Sequence, residues 1–434
     1  MSKALHSSGQ TSISSGQTSM SVSGWTISTM TPRLNAGFRP LLLGLMLLAS
    51  VFISPHSQGS DDAAKALVLR SICPAGFTLE PADGCQLNSR YNQYASPHNS
   101  GVGGLRAGLP ALRDGFEPKV IDLGRYLFFD PILSADKTIA CSSCHDPQLG
   151  FADGLGRAKG INGAVLDRSA PSLWNIGFFR TLLWDGSKER LETQLLGPLY
   201  SDKEMGNRPD RVLSDLNANE NYRRLFADAF ETPTIELEQV YTALTAFEAS
   251  LVSLNSRYDF YAHGVHSALA PSELEGLNIF RSFVSRCGEC HTPPLFSNQQ
   301  IAIIGVPEPE GRPFDPGASA TSGIPSQRGG FRVPSLRNIA RTAPYMHQGT
   351  FETLRETVAF YNGGRGHAVP EDENLLIHWH IWEPDLREEE LDRLVDFLHA
   401  LTDEGFMPEI PTVVPSGLRP GEAKHHSTLT SRQQ

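Results

Sequence analysis

The chain has 434 residues, which is too long for one small core and predicts two or three compact units. Hydrophobic residues make up 40% of it and charged residues 20%, an ordinary composition for a chain that folds in water. The formal net charge is -11 and no long basic run is present, which argues against nucleic acid as a partner.

The N-terminal region predicts export. Leu41–Ile53 reads LLLGLMLLASVFI, and its length of about 13 apolar residues suits a signal peptide better than a membrane span. Arg33 and Arg39 precede it, as in a secretory signal. The low-complexity sequence before Met30 suggests that translation starts at that methionine. An uncleaved anchor is the alternative, because no small-x-small cleavage site stands before Ser57.

Two of the six cysteines lie in the polar stretch 57–104, which we interpret as an extension over the first domain. Cys73 and Cys85 are twelve positions apart in the sequence. In an oxidising compartment this spacing favours a structural disulfide that closes a small loop.

Helical periodicity dominates the rest of the chain, so the predicted fold class is mainly α. Pro131 ends the segment 123–129, and Pro271 opens a new helix, which puts a domain boundary near 262–272. The stretch 305–330 is rich in Pro and Gly and predicts a long surface loop. Further amphipathic helices are predicted within 234–255 and after the acidic residues 388–390.

Two segments, CSSCH at 141–145 and CGECH at 287–291, fit the C-x-x-C-H pattern of covalent haem attachment. The spacing lets two thiols reach the two vinyl groups of one porphyrin while the adjacent imidazole turns in to bind the iron. A zinc ribbon brings its pairs within some 15 to 20 residues, and a redox C-x-x-C pair lies near βαβ patterning; neither fits. The predicted haem-binding residues are Cys141, Cys144 and His145, and Cys287, Cys290 and His291.

The sixth ligand of each iron decides between electron transfer and chemistry. Between His145 and His263 there is no histidine, and the single methionine is Met205, so the first haem lacks an obvious sixth ligand. An open ferric site accepts peroxide, and cleavage of the O–O bond then needs a group that moves protons. For the second haem the candidates are Met346, His347, Tyr361, His367, His378 and His380.

Four blocks resemble the bacterial di-haem cytochrome c peroxidase family, including its MauG-type branch, over about residues 123 to 402. They are LFFDPILSADKTIACSSCHDP, LLWDGSKERLETQLLGPLYSDKEMGN, the second C-x-x-C-H, and VPSLRNIARTAPYMHQGTFETL. The resemblance implies two cytochrome c-like helical domains, each with one covalently bound c-type haem. We expect an N-terminal segment at 1–56, the extension at 57–104, domains at 105–268 and 269–405, and a C-terminal tail at 406–434.

The resemblance also implies catalytic roles. Glu204 matches the carboxylate that shuttles protons at the peroxide haem, Gln194 assists beside it, and Trp184 matches the tryptophan between the haems. Judged without the family, Glu204 would be a solvated charge and Trp184 a core residue. Family members that rest in a closed state carry a displaceable histidine in the loop that corresponds to 159–163. This loop reads KGING, so we expect the peroxide haem to be open without prior reduction.

At the second haem, counting from Pro344 places Tyr361 where the peroxidases carry an axial methionine, and the MauG-type branch resembles this in using a tyrosine. A phenolate lowers the iron potential, whereas a thioether raises it. In a conventional cytochrome c peroxidase Met346 would be the ligand instead. The family further implies a calcium ion between the domains, for which Thr342 and Pro344 match and Ser169 replaces the expected Asn.

The expected function is therefore that of a periplasmic di-haem peroxidase that reduces hydrogen peroxide with electrons relayed through the second haem. The alternatives are a MauG-like oxidase that modifies residues of a partner protein, and a plain di-haem electron carrier, which would need no Glu204. The electron source would be a small redox protein, a cytochrome c or a cupredoxin, or else a protein substrate. The sequence leaves a homodimer open.

Overall fold

The computed structural model of the protein describes residues 67–92, 108–364, 369–370 and 372–421. All of them belong to one unit, Lys65–Gln434. The predicted signal peptide Leu41–Ile53, the proposed start at Met30 and His367 lie outside the described residues. Among the helices of these ranges, none combines the length and the apolar character that a membrane crossing requires.

The described residues are mainly helical, which confirms the predicted class. Two small antiparallel sheets pair β1 (Phe77–Glu80) with β2 (Gly84–Leu87) and β3 (Ile301–Ile303) with β4 (Gly330–Arg332). The α-helices are α1 Ser89–Asn92, α2 Pro118–Phe129, α3 Leu191–Gln194, α4 Leu196–Tyr200, α5 Pro209–Ala218, α6 Glu220–Phe230, α7 Leu237–Ala249, α8 Arg257–Ala262, α9 Pro271–Phe280, α10 Cys287–Cys290, α11 Ser319–Ser322, α12 Leu354–Gly363 and α13 Glu388–His399.

The first core forms where α2 and α7 cross with their backbones in contact. A Cβ atom at Gly124 would lie 1.8 Å from the carbonyl oxygen of Ala243, so only glycine fits this crossing. One turn later on each helix, Phe128 and Phe247 pack with ring centroids 5.0 Å apart at an angle of 58°. The crossing therefore fixes the position of α7 relative to α2.

The second core repeats the same crossing with α9 and α13. A Cβ atom at Gly276 would lie 1.9 Å from the carbonyl oxygen of Arg393. One turn later, Phe280 and Phe397 pack with centroids 5.1 Å apart at 57°. Because glycine and phenylalanine recur at the same spacing before each C-x-x-C-H, the two halves of the described chain share one helix-packing unit.

The polar extension is attached to the first core. Cys73 and Cys85 form the predicted disulfide, and Cys85 is almost completely buried. The Cys85 amide donates to the carbonyl of Phe116 over 2.9 Å, and the amide of Arg70 donates to the Asp122 carboxylate over 3.1 Å. The disulfide loop is therefore anchored both to α2 and to the segment that leads into it.

The stretch 305–330 is more ordered than its composition predicts. The prediction of a surface loop without elements is wrong for its second half, which contains α11 and a 3-10 turn at Pro325–Gln327. Asp315 is buried and accepts a bidentate pair of hydrogen bonds from Arg168 at 2.7 and 2.9 Å. A paired guanidinium compensates the burial of this carboxylate and holds the loop against the first half of the chain.

The segment 406–421 returns from the second core to the first, and we name it the C-terminal strap. Ser416 donates from its hydroxyl to Asp130 over 2.6 Å, and Gly421 donates from its amide to the Phe129 carbonyl over 2.8 Å. The Ser142 hydroxyl in turn donates to the Gly421 carbonyl over 2.8 Å. The strap thus contacts both the end of α2 and the first C-x-x-C-H.

Candidate active site

A cavity of about 660 Å³ opens beside the first C-x-x-C-H. Cys141, Cys144 and His145 line it, and neither cysteine forms a disulfide. The Nδ1 atom of His145 lies 2.9 Å from the carbonyl oxygen of Phe151, which acts as acceptor when Nδ1 carries the proton. Burial lowers the pKa of His145, so the imidazole is neutral and its Nε2 lone pair remains available to a metal.

Glu204 and Gln194 line the same cavity, so the structure brings them together with His145. Gln194 ends α3, and Glu204 lies in the turn after α4, where its amide donates to the Ser201 carbonyl over 3.0 Å. Burial raises the pKa of Glu204, opposed by a hydrogen bond from Ser201. A carboxyl group with a raised pKa takes up a proton more readily than an exposed glutamate does.

The loop 159–163 packs against the turn that contains Glu204. The amide of Ile161 donates to the Glu204 carbonyl over 2.8 Å. A Cβ atom at Gly160 would lie 1.8 Å from the carbonyl oxygen of Lys203 and 2.7 Å from the Glu204 Cα atom. Position 160 therefore accepts only glycine, and no side chain can extend from it into the cavity.

A second cavity, of about 240 Å³, lies beside the second C-x-x-C-H and is lined by Cys287, Cys290 and His291. The Nδ1 atom of His291 faces two carbonyl oxygens, of Phe296 at 3.1 Å and of Pro334 at 3.2 Å. The imidazole is thereby oriented as in the first cavity, with Nε2 free for a metal.

Several of the predicted sixth ligands surround this second cavity. Tyr361, Met346, His347 and His380 all line it. Burial raises the pKa of Tyr361 above its ordinary value, with a smaller contribution from the two thiols. A ring nitrogen of His378, a ring nitrogen of His380 and the Cys290 sulfur all lie within 4.8 Å of one another. Because Cys290 lines the second cavity, both histidines lie close to that cavity.

Trp184 and Arg332 line both cavities. The indole of Trp184 donates to the Ser169 carbonyl over 2.9 Å, and its own carbonyl accepts from the amide of Arg332 over 2.7 Å. The backbone of Arg332 therefore helps to hold Trp184 between the two motifs.

The side chains present fit a haem in each cavity. Each motif offers two thiols and one oriented imidazole, the donor set of a c-type haem. The side chain of Arg332 is buried, its Nη1 atom has no hydrogen-bond partner among the described residues, and burial lowers its pKa to about 10. No carboxylate among the described residues forms an ion pair with this buried guanidinium, and the carboxylates of a haem would supply the missing anion.

The residues predicted for calcium lie at the second cavity. Thr342 and Pro344 line it together with Ser169. The amide of Ser169 donates to the His347 carbonyl over 2.8 Å, and its hydroxyl donates to the Met346 carbonyl over 3.3 Å. Ser169 therefore ties the first half of the chain to the segment that holds Thr342 and Pro344.

Sequence reasoning missed two charged side chains at these cavities. Arg332 gave no sequence signal, because its contacts with Leu183 and Trp184 span about 150 positions. Glu248 lines the first cavity and is buried. The sequence does indicate that Glu248 is buried. Glu248 lies four positions after Leu244 and three before Leu251, on the apolar face of the predicted helix.

Comparisons with known proteins agree with this geometry. A family model described as di-haem cytochrome c peroxidase matches residues 118–267. The methylamine utilization protein MauG of Methylorubrum extorquens is 33% identical over 299 residues, which cover 68% of this chain and 82% of the relative. The chain belongs to the di-haem cytochrome c peroxidase family. It is thus an oxidoreductase of the peroxidase type.

Other similar proteins are named either as cytochrome c peroxidases or as MauG-like proteins. A cytochrome c551 peroxidase of Nitrosomonas europaea is 33% identical over 238 residues, which cover 55% of this chain and 71% of the relative. The crystal structure of a MauG-like protein associated with microbial copper homeostasis aligns with a TM-score of 0.65 at 32% identity. That alignment covers 71% of this chain and 98% of the other.

Proposed function

We propose that this di-haem peroxidase binds one c-type haem covalently through Cys141 and Cys144 and the other through Cys287 and Cys290, each in its own cytochrome c-like domain. His145 and His291 would bind the irons. The repeated crossing of helices, α2 with α7 and α9 with α13, supports two domains of one kind. When bound, the haems supply the redox chemistry by which hydrogen peroxide, two electrons and two protons become two molecules of water.

The protein's own contribution to peroxide reduction is the movement of protons in the first cavity. Glu204 would take the proton from one peroxide oxygen and deliver it to the other, and Gln194 would orient the peroxide by hydrogen bonding. The observation that carries this proposal is that Glu204, Gln194 and His145 line one cavity. The raised pKa of Glu204 supports this role, because it makes the carboxylate a better proton acceptor than an exposed glutamate.

Electrons would reach the first site from the second through Trp184. Trp184 lines both cavities, and two hydrogen bonds, one to Ser169 and one from Arg332, hold the residue in place. We further propose Tyr361 as the sixth ligand of the second iron, with Met346 as the alternative.

A second candidate function is the oxidation of side chains of a partner protein, as in a MauG-like oxidase. The position of Tyr361 at the second cavity favours it, since a phenolate ligand would stabilise the oxidised states in which an oxidising equivalent is stored. The likeness to MauG and to the MauG-like structure agrees with this candidate.

We also propose a periplasmic location, with electrons delivered by a small cytochrome c or cupredoxin. The Cys73–Cys85 disulfide supports an oxidising compartment. A calcium ion bound near Thr342 and Pro344 belongs to the same proposal and is supported by the position of both residues beside Ser169 at the second cavity.

Replacement of Glu204 by Gln tests the catalytic proposal. We expect peroxide turnover to fall by about 10²- to 10⁴-fold, because an amide cannot transfer the proton, while the absorption spectra of both haems persist. Glu189→Gln is the matched control, since Glu189 is an exposed residue of the preceding loop. Unchanged turnover in Glu204→Gln would refute the proposed role.

Low-temperature EPR of the oxidised protein, with and without Tyr361→Phe, tests the assignment at the second iron. One high-spin and one low-spin signal, with only the low-spin signal altered by the substitution, would support an open first site and a Tyr361-ligated second iron. A low-spin signal that is indifferent to the substitution would return the ligand assignment to Met346 or a histidine.

A further inference from the structure

The first cavity contains a buried carboxyl group that the proposed mechanism does not use. Glu248 lies on α7, one turn after Leu244, and both side chains line the cavity. The residue is only 7% exposed, and its Oε2 atom has no hydrogen-bond partner among the described residues. An unpartnered carboxyl in such a place costs stability, so its presence needs an explanation.

The second half of the chain shows what this position needs for packing alone. In the repeated crossing, Ala243 of α7 corresponds to Arg393 of α13, because each meets the glycine of the crossing helix. Counting forward from these contacts, Leu244 corresponds to Leu394 and Glu248 to Leu398. Both leucines line the second cavity. A leucine therefore satisfies the packing, and the carboxyl group is particular to the first cavity.

Burial determines the charge of Glu248. Taking the carboxylate out of water raises the pKa of Glu248 to about 8, with no compensating cation. Its charge in turn raises the pKa of the Cys141 thiol, so Glu248 interacts electrostatically with the haem-attachment position. On the helices packed against α7 the acidic groups are already paired with cations. These pairs are Asp122 of α2 with Arg125, Glu192 of α3 with Arg113, and Asp210 and Asp215 of α5 with Arg208 and Lys137. The 3-10 turn Ile176–Phe178, also packed against α7, carries no titratable side chain.

We propose that Glu248 is the proton-exchanging residue of the first haem site, taking up a proton when that site gains an electron and releasing it when the site loses one. The inference rests on the proposed haem attachment at Cys141 and Cys144. The redox donor would supply the electron to the site, and hydronium in the solvent would supply the proton. One O–H bond forms on the Glu248 carboxylate as one O–H bond of hydronium breaks, which leaves water. The physical cause is the loss of one positive charge from the cavity, which weakens the stabilisation of the neighbouring carboxylate.

A redox titration of the haem-loaded protein, followed by absorption and repeated between about pH 6 and pH 10, tests the proposal without peroxide turnover. We expect the midpoint potential of the first haem to fall by about 59 mV per pH unit, the equivalent of a tenfold change in proton activity, within this range. In Glu248→Gln and Glu248→Leu that slope should disappear, while the second haem behaves as in the wild type.

Two features keep this experiment decisive. Glu248→Leu installs the residue that the second half of the chain carries at the same position, so the variant has a precedent for packing. Glu238→Gln makes the same change of charge at an exposed position of α7 and should keep the wild-type slope. A slope that persists in both Glu248 variants would overturn the inference and leave the peroxidase proposal standing. Absence of a haem at the first motif would overturn both.

Discussion

We expect that Gly160→Ala displaces the Glu204 carboxyl group from its catalytic position while leaving the carboxyl group itself unchanged. A Cβ atom at position 160 would lie 1.8 Å from the Lys203 carbonyl oxygen, and real Cβ atoms do not approach closer than 3.0 Å. The two backbones must therefore separate by about 1.2 Å, which moves the turn that carries Glu204. A displacement of about 1 Å in a catalytic group can cost on the order of 10²-fold in rate, so we expect peroxide turnover to fall by about that factor.

The assay is peroxide-dependent oxidation of a reduced cytochrome c, measured by stopped flow for Gly160→Ala, Glu204→Gln and the double variant. Because both single substitutions act through one carboxyl group, the double variant should be no slower than Glu204→Gln alone. Haem spectra and thermal unfolding control for general damage. If the two effects multiplied instead, or if Gly160→Ala turned over peroxide at the wild-type rate, the steric argument would be wrong.

Three further predictions concern stability. Gly276→Ala should cost about 1–3 kcal/mol by forcing the second helix crossing apart, visible as a lower thermal midpoint. Arg337→Leu should cost about 3–5 kcal/mol near neutral pH, because it leaves Asp259 buried without its cation. Burial alone would raise the pKa of Asp259, but Arg337 holds it below its ordinary value, so the wild-type advantage in urea unfolding should shrink as the pH falls through that lowered pKa. Replacement of both Cys73 and Cys85 by Ala should cost about 3 kcal/mol, the loop-closure entropy of their short loop, and added reductant should no longer affect stability.

The parts of the site that share a short stretch of sequence could be predicted from it. The spacing within CSSCH and CGECH alone places two thiols and an imidazole together, and the helices that begin at Pro271 and Glu388 follow from their first residues and apolar periodicity. The positions of Glu204 and Gln194 came from family resemblance, since a polar turn by itself does not reveal what it faces. The structure places both at the first cavity, while their catalytic role stays a prediction.

Contacts between distant segments could not be predicted. Arg168 and Asp315 are 147 positions apart, and their ion pair orders a stretch whose Pro and Gly content predicts an unstructured loop. The packing of Gly160 against Lys203 likewise depends on how two turns meet in space. Glu248 could be predicted in part. The sequence indicates that it lies on an apolar helix face, but the cavity that it lines is formed by segments that meet only in the folded chain.

The C-terminal strap determines the order in which the molecule can be completed. Asp130 accepts a hydrogen bond from Ser416, and Ser142 donates one to the carbonyl of Gly421, so each contact joins residues about 280 positions apart. The second helix crossing is already complete at His399. The first half of the described chain is therefore completed only after the second half has been synthesised, and a chain truncated before the strap would lack these contacts beside its first cavity while keeping its second core.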